Sequence, residues 1–73
     1  MIIIMGTVRI SADRINEARP AMAAMVAASR AEPGCRLYAY AEDLLEPGLI
    51  RVSEQWIDQA ALSAHFETPH MAV

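Results

Sequence analysis

The chain has 73 residues and a net charge of −3 at neutral pH, and its six basic residues are all arginines scattered singly (Arg9, Arg14, Arg19, Arg30, Arg36 and Arg51). A nucleic-acid-binding domain needs a basic patch or stripe, so this pattern excludes that class. The apolar start Met1–Met5 is too short to span a bilayer and lacks the basic leader and small-residue cleavage site of a signal peptide. With one unpaired cysteine, Cys35, a reducing compartment and hence a cytoplasmic location is expected.

Size sets a second constraint. A single core below roughly 70–80 residues seldom supplies more than about 3–5 kcal/mol, so such chains are usually stapled. One cysteine cannot form an internal disulfide, and no Cys/His pair has zinc-like spacing. Hydrophobic residues make up 55% of the sequence, more than so small an interior can hide. Association with a second copy is the remaining route, and a homodimer is expected.

Residues Ile2 to Ile10 form a β-branched run broken by Gly6, which reads as a strand buried on both faces. Ser11-Ala12-Asp13 offers helix N-cap chemistry. Ile15, Ala18, Met22, Met25, Val26 and Ser29 then recur at helical spacing, with Pro20 expected to kink or restart the helix. Glu32-Pro33-Gly34 ends it. Cys35 to Glu42 alternates as a strand carrying Tyr38 and Tyr40 on one face. Asp43 to Gly48 is a turn, and Leu49 to Trp56 a second strand completing a hairpin. On that strand Ile50, Val52, Glu54 and Trp56 share one side, and Leu49, Arg51, Ser53 and Gln55 the other. Asp58 caps a helix whose apolar stripe includes Ala61, Leu62 and Phe66, with His65 beside it. Thr68-Pro69 starts a further helical segment.

The order strand, helix, strand, strand, helix predicts an α+β, ferredoxin-like β-α-β-β-α unit with an antiparallel sheet, a single domain over 1–73. That plan calls for one more strand, which is not found in the sequence. The absent edge is expected to be covered by a partner or supplied from outside this stretch.

Glu32-Pro33-Gly34-Cys35, Tyr38 to Asp43, Glu54-Gln55-Trp56 and Ala64-His65-Phe66-Glu67-Thr68-Pro69-His70 occur in this order, and together they resemble the antibiotic biosynthesis monooxygenase domain. The resemblance spans essentially the whole chain. It implies a dimeric α/β barrel built from ferredoxin-like protomers. It also implies kinship with cofactor-independent monooxygenases acting on aromatic or quinol substrates, with haem-degrading enzymes and with cofactor-free isomerases.

An imidazole can accept a proton near neutral pH, so His65 is the first candidate for catalysis, as base or hydrogen-bond partner. The alternative is a helix-border histidine bonding a backbone carbonyl. Glu54 shares a face with apolar neighbours, where a carboxylate must be paired or protonated. It could orient His65 or act as a base, or simply pair with an arginine or a helix N-terminus. Trp56, Tyr38 and Tyr40 could stack on a flat aromatic substrate or belong to the core, with Met22 and Met25 lining the same cavity. His70 reads as a surface or capping residue and Cys35 as an inert thiol. Since Thr68-Pro69 separates His65 from His70, they are not expected to share a helix face, and no metal site is expected. The sequence has no dinucleotide or phosphate-loop motif, so no cofactor is expected. Three readings stay open: a cofactor-independent monooxygenase oxidising a small aromatic or quinol-type substrate with dioxygen, a non-catalytic module binding a small apolar molecule, and an isomerase.

Overall fold

The structure, a computed structural model, describes residues 1–71. Strand β1 (Ile2–Arg9) leads to helix α1 (Ile15–Arg30), strands β2 (Cys35–Glu42) and β3 (Leu49–Trp56), helix α2 (Gln59–Phe66) and a 3-10 turn η1 (Pro69–Met71). The three strands form one antiparallel sheet in the order β1-β3-β2. Among the described residues the fold is therefore the expected β-α-β-β-α arrangement.

Register explains which residues meet. Ile4 pairs with Glu54, and Glu54 with Tyr38; Ile2 and Cys35 both pair with Trp56. A shift between Cys35 and Leu37 adds a residue to β2, a local bulge at the strand entry. Tyr38, Trp56 and Leu62 form the core, packed by Ile2, Ile4, Met25, Val26, Cys35, Tyr40 and Ala61. Leu62 comes from α2 and Met25 and Val26 from α1, so both helices lie on the face carrying Tyr38 and Trp56. On the opposite face, Ile3, Gln55 and Leu37 form one cross-strand row and Met5, Ser53 and Ala39 the next. No element of the described chain covers these rows.

That bare face corrects the expectation for β1. Ile3 is 63% exposed and Met5 80% on this face, and Val8, paired with Ile50 on the helix-bearing face, is exposed as well. The β-branched run does form a strand, but its two faces meet different surroundings, and a run of apolar residues cannot reveal whether a second layer is present.

Other departures are local. The N-cap of α1 is Arg14, which makes no side-chain capping bond; Ser11 contributes only its backbone carbonyl, accepting from the Arg14 N–H at 2.9 Å. The helix continues through Pro20, which removes one N–H near the start of a 16-residue element and leaves the later turns intact. Asp58 caps α2 as expected, its side chain accepting from the Ala61 N–H at 2.8 Å. In α2 the buried positions are Leu62 and His65, and Phe66 is exposed, so the histidine occupies the inner face the phenylalanine was expected to take.

The hairpin turn depends on Gly48, at φ +84°, where a Cβ would lie 2.0 Å from the Ile10 carbonyl oxygen. The same close approach carries the Ile10 N–H to Gly48 O hydrogen bond at 2.8 Å, tying the end of β1 to the turn.

Candidate functional site

The polar centre of the molecule is built from three segments. Glu32 stands in the turn after α1, His65 on the last turn of α2, and His70 in η1. One carboxylate oxygen, Glu32 Oε2, lies 2.7 Å from His65 Nδ1 and 2.7 Å from His70 Nε2. His65 is 1% exposed and among the largest fully buried side chains. Its ring stacks at a tilt on Trp56 (centroids 4.6 Å apart) and on Tyr38 (5.5 Å).

Hydrogen-bond logic assigns the protons. Thr68 Oγ1 donates to the His65 carbonyl at 2.7 Å, so towards His70 Nε2, 3.2 Å away, it can only accept. His70 therefore carries its proton on Nε2, shared between Thr68 and Glu32. Glu32 is an acceptor, so His65 donates from Nδ1, which leaves its Nε2 as the nitrogen able to accept a proton.

The predicted site residues divide between this centre and a groove. Glu54 does not orient His65: its Oε1 accepts from the Trp56 indole N–H at 3.0 Å. The carboxylate on His65 is Glu32 instead, a residue of the E-P-G turn that ends α1 and carries no local mark of a ligand. His70, expected at the surface, is held by the same carboxylate, with 23% of its side chain exposed. The break at Thr68-Pro69 is what brings the two histidines together, because η1 turns the chain back over the end of α2.

A groove of about 430 Å³ runs between α1 and strands β2 and β3, lined by Met22, Val26, Arg30, Tyr40, Glu42 and Ile50 among others. Of the residues expected to line a cavity, Met22 and Tyr40 line this groove, while Met25 packs on the core. The Tyr40 hydroxyl lies 3.2 Å from that of Tyr38. Burial, and then the bond to Tyr40, push the Tyr38 phenol well above its ordinary range, so it acts as a hydrogen-bonding group and not as a base. The Ser29 hydroxyl is buried next to it without a hydrogen bond of ordinary geometry among the described residues. At the groove's rim Glu42 accepts from the Gly48 N–H at 3.1 Å and from Arg19 at 3.0 Å; these bonds hold its carboxyl below the usual range. Tyr38 thus stands between groove and imidazole, touching Tyr40 on one side and His65 on the other. Cys35 sits at the start of β2, its thiol pushed up by burial and then by Glu32 and Glu54, the reverse of what a nucleophilic thiolate needs.

The chain matches the antibiotic biosynthesis monooxygenase family over residues 1–73 and belongs to it. A structure from Deinococcus radiodurans, described as a candidate antibiotic biosynthesis monooxygenase, superposes with a TM-score of 0.91 at 33% identity, covering 99% of this chain and 71% of that one. A structure from Pseudomonas aeruginosa superposes with a TM-score of 0.87 at 33% identity, covering 96% and 71% respectively. An uncharacterised protein of Synechocystis sp. is 33% identical over 69 residues. That alignment takes in 94% of this chain and 47% of the relative, so the chain spans about half the length of this curated relative. No helix among the described residues is long and apolar enough to cross a membrane.

Proposed function

We propose that the chain is the substrate-holding part of a cytoplasmic, homodimeric monooxygenase that oxidises a small aromatic or quinol-type molecule with dioxygen and without a cofactor. The observation that carries this reading is the buried His65–Glu32 pair set against Trp56 and Tyr38. Glu32 fixes the imidazole with Nε2 as its basic nitrogen, in aromatic surroundings that exclude water. A phenol or quinol deprotonated there becomes electron-rich enough to pass an electron to dioxygen, and the protein supplies the base, the apolar seat and the dry surroundings. In this reading the substrate enters the groove over Met22 and Tyr40, and Tyr38 is the wall that must give way for it to reach His65. Glu54 acts through Trp56, fixing the indole.

The test is oxygen uptake against hydroquinones and anthrones. Uptake above the autoxidation blank is expected, falling by about 100-fold or more in His65→Ala and suppressed in Met22→Trp, which fills the groove. Unchanged uptake in His65→Ala would sink the base assignment.

A second reading, a non-catalytic binding module, is favoured by one observation: the groove's own carboxylate, Glu42, is held below the usual range and is a poor base, while His65 lies behind Tyr38. Here an aromatic ligand would bind without turnover, Met22→Trp would abolish binding, and His65→Ala would alter affinity only modestly.

The homodimer is proposed from the bare sheet face, where the exposed Ile3, Met5 and Leu37 lie in adjacent cross-strand rows. Exposed apolar side chains on both edge strands, flanking Gln55 and Ser53 of the central strand, offer an interaction site of this kind. Light scattering at micromolar concentration is expected to give twice the chain mass, and Met5→Glu is expected to return the monomer; a wild-type monomer would refute the assembly.

A further inference from the structure

We infer that Glu32, His65 and His70 form a binding site for a divalent first-row transition ion of the zinc kind. The inference goes beyond the reaction proposed above and does not depend on it. Three potential ligand atoms, one from each residue, lie within 4.8 Å of one another: Glu32 Oε2, His65 Nδ1 and His70 Nε2, the two nitrogens each 2.7 Å from the oxygen. Around an ion with bonds near 2.0–2.2 Å, tetrahedral ligands sit ~3.3 Å apart. The carboxylate oxygen must draw back from 2.7 Å to ~3.3 Å from each nitrogen, and the two nitrogens, within 4.8 Å of one another, must settle at the same spacing, for the ion to take the place of the two N–H protons now shared with the carboxylate.

The surroundings suit such an ion. His65 is locked between Trp56 and Tyr38 and cannot swing away. Thr68 ties η1 to the end of α2 through the His65 carbonyl, which holds His70 over the same oxygen. The side chain of Glu32 is 10% exposed and that of His70 23%, so the open side of the cluster, where an ion enters and keeps a water, is the His70 side. Two imidazoles and one carboxylate select zinc, cobalt, nickel or iron(II) over magnesium or calcium, which prefer all-oxygen shells. An ion on His65 Nδ1 places the ring proton on Nε2. Loading would therefore remove the base of the proposed reaction, so that metal and turnover oppose each other.

The experiment is a cobalt(II) titration of the chelator-treated protein, read by its visible absorption with no substrate present. One ion per chain with a dissociation constant in the micromolar range or tighter is expected, displaced by zinc(II), with no thiolate-to-cobalt charge-transfer band because Cys35 is not a ligand. His70→Gln, whose site is partly exposed, is expected to fold and to bind more than about 100-fold more weakly, beyond the cost of losing an outer-shell partner. Glu32→Gln is the second variant should His70→Gln not fold, with the same expected loss. No binding by the wild type below about 100 μM cobalt, or equal binding by the folded variants, would overturn the site and leave Glu32 as a hydrogen-bond acceptor alone. Either outcome is read independently of oxygen uptake, so failure here does not touch the proposed function.

Discussion

Trp56→Ala is expected to leave the protein unfolded at room temperature. The side chain is 0% exposed and sits where the three strands, α2 and the histidine centre converge: Ile2 and Cys35 pair with it in register, Tyr38 meets it edge-on at 6.3 Å, and His65 covers it at 4.6 Å. Truncating a buried tryptophan to alanine costs about 3–5 kcal/mol, which is about all that one core of this size supplies. The substitution also strands Glu54, whose carboxylate loses its indole partner. Loss of the far-UV circular dichroism of the folded form is the expected result. Trp56→Phe keeps most of the apolar contact and gives up the N–H bond, so it is expected to fold with about 1–2 kcal/mol less stability in urea unfolding. A folded Trp56→Ala within 1 kcal/mol of wild type would show that the core is distributed more widely than its packing indicates.

The centrality of Trp56 was legible in the sequence only as an alternation. Two-residue periodicity on β3 put Ile50, Val52, Glu54 and Trp56 on one face, and the helical stripe Ile15 to Ser29 named the inner face of α1; both follow from local geometry that every residue reports. Turn chemistry at Gly48 and the cap at Asp58 were legible for the same reason. What the sequence could not carry were pairings between distant segments. Glu54 lies two residues from Trp56 on the same face, so its bond to the indole was available as a local possibility, yet an apolar environment with a histidine elsewhere suggested the longer reach. Glu32 and His65 are 33 residues apart, and a glutamate in an E-P-G turn carries no local mark of being a ligand. The signal that could have found it was physical accounting. A histidine placed on the inner face of a short helix must bond something, and the turn at the far end of α1 is the polar segment that register brings to the Cys35 end of β2, beside Trp56. The exposure of β1 was illegible for another reason, because apolar strand residues look alike whether the second layer comes from the same chain or from another.

Glu32→Ala is expected to cost about 2–3 kcal/mol, the second-largest effect, and to do so by loosening the end of the chain. The carboxylate holds two imidazole N–H donors at once, one of them buried, and leaving a buried donor without a partner costs about 1–3 kcal/mol, more when the acceptor was charged. It is also the link between the turn after α1 and both C-terminal segments, since α2 is joined to the sheet mainly through Leu62 and His65, and η1 reaches the body through His70. With alanine at 32, amide hydrogen exchange is expected to accelerate first in α2 and the Thr68–Met71 segment, ahead of the sheet. Glu32→Gln separates charge from geometry. Its amide oxygen can accept the same two bonds without the charge, and charge-assisted bonds are roughly twice as strong as neutral ones, so about half of the loss should return. If Glu32→Gln is as destabilised as Glu32→Ala, the charge itself holds the two histidines; if both match wild type, the closure of α2 and η1 rests on Leu62 and Trp56 packing alone, and the histidine centre is free to serve chemistry without serving the fold.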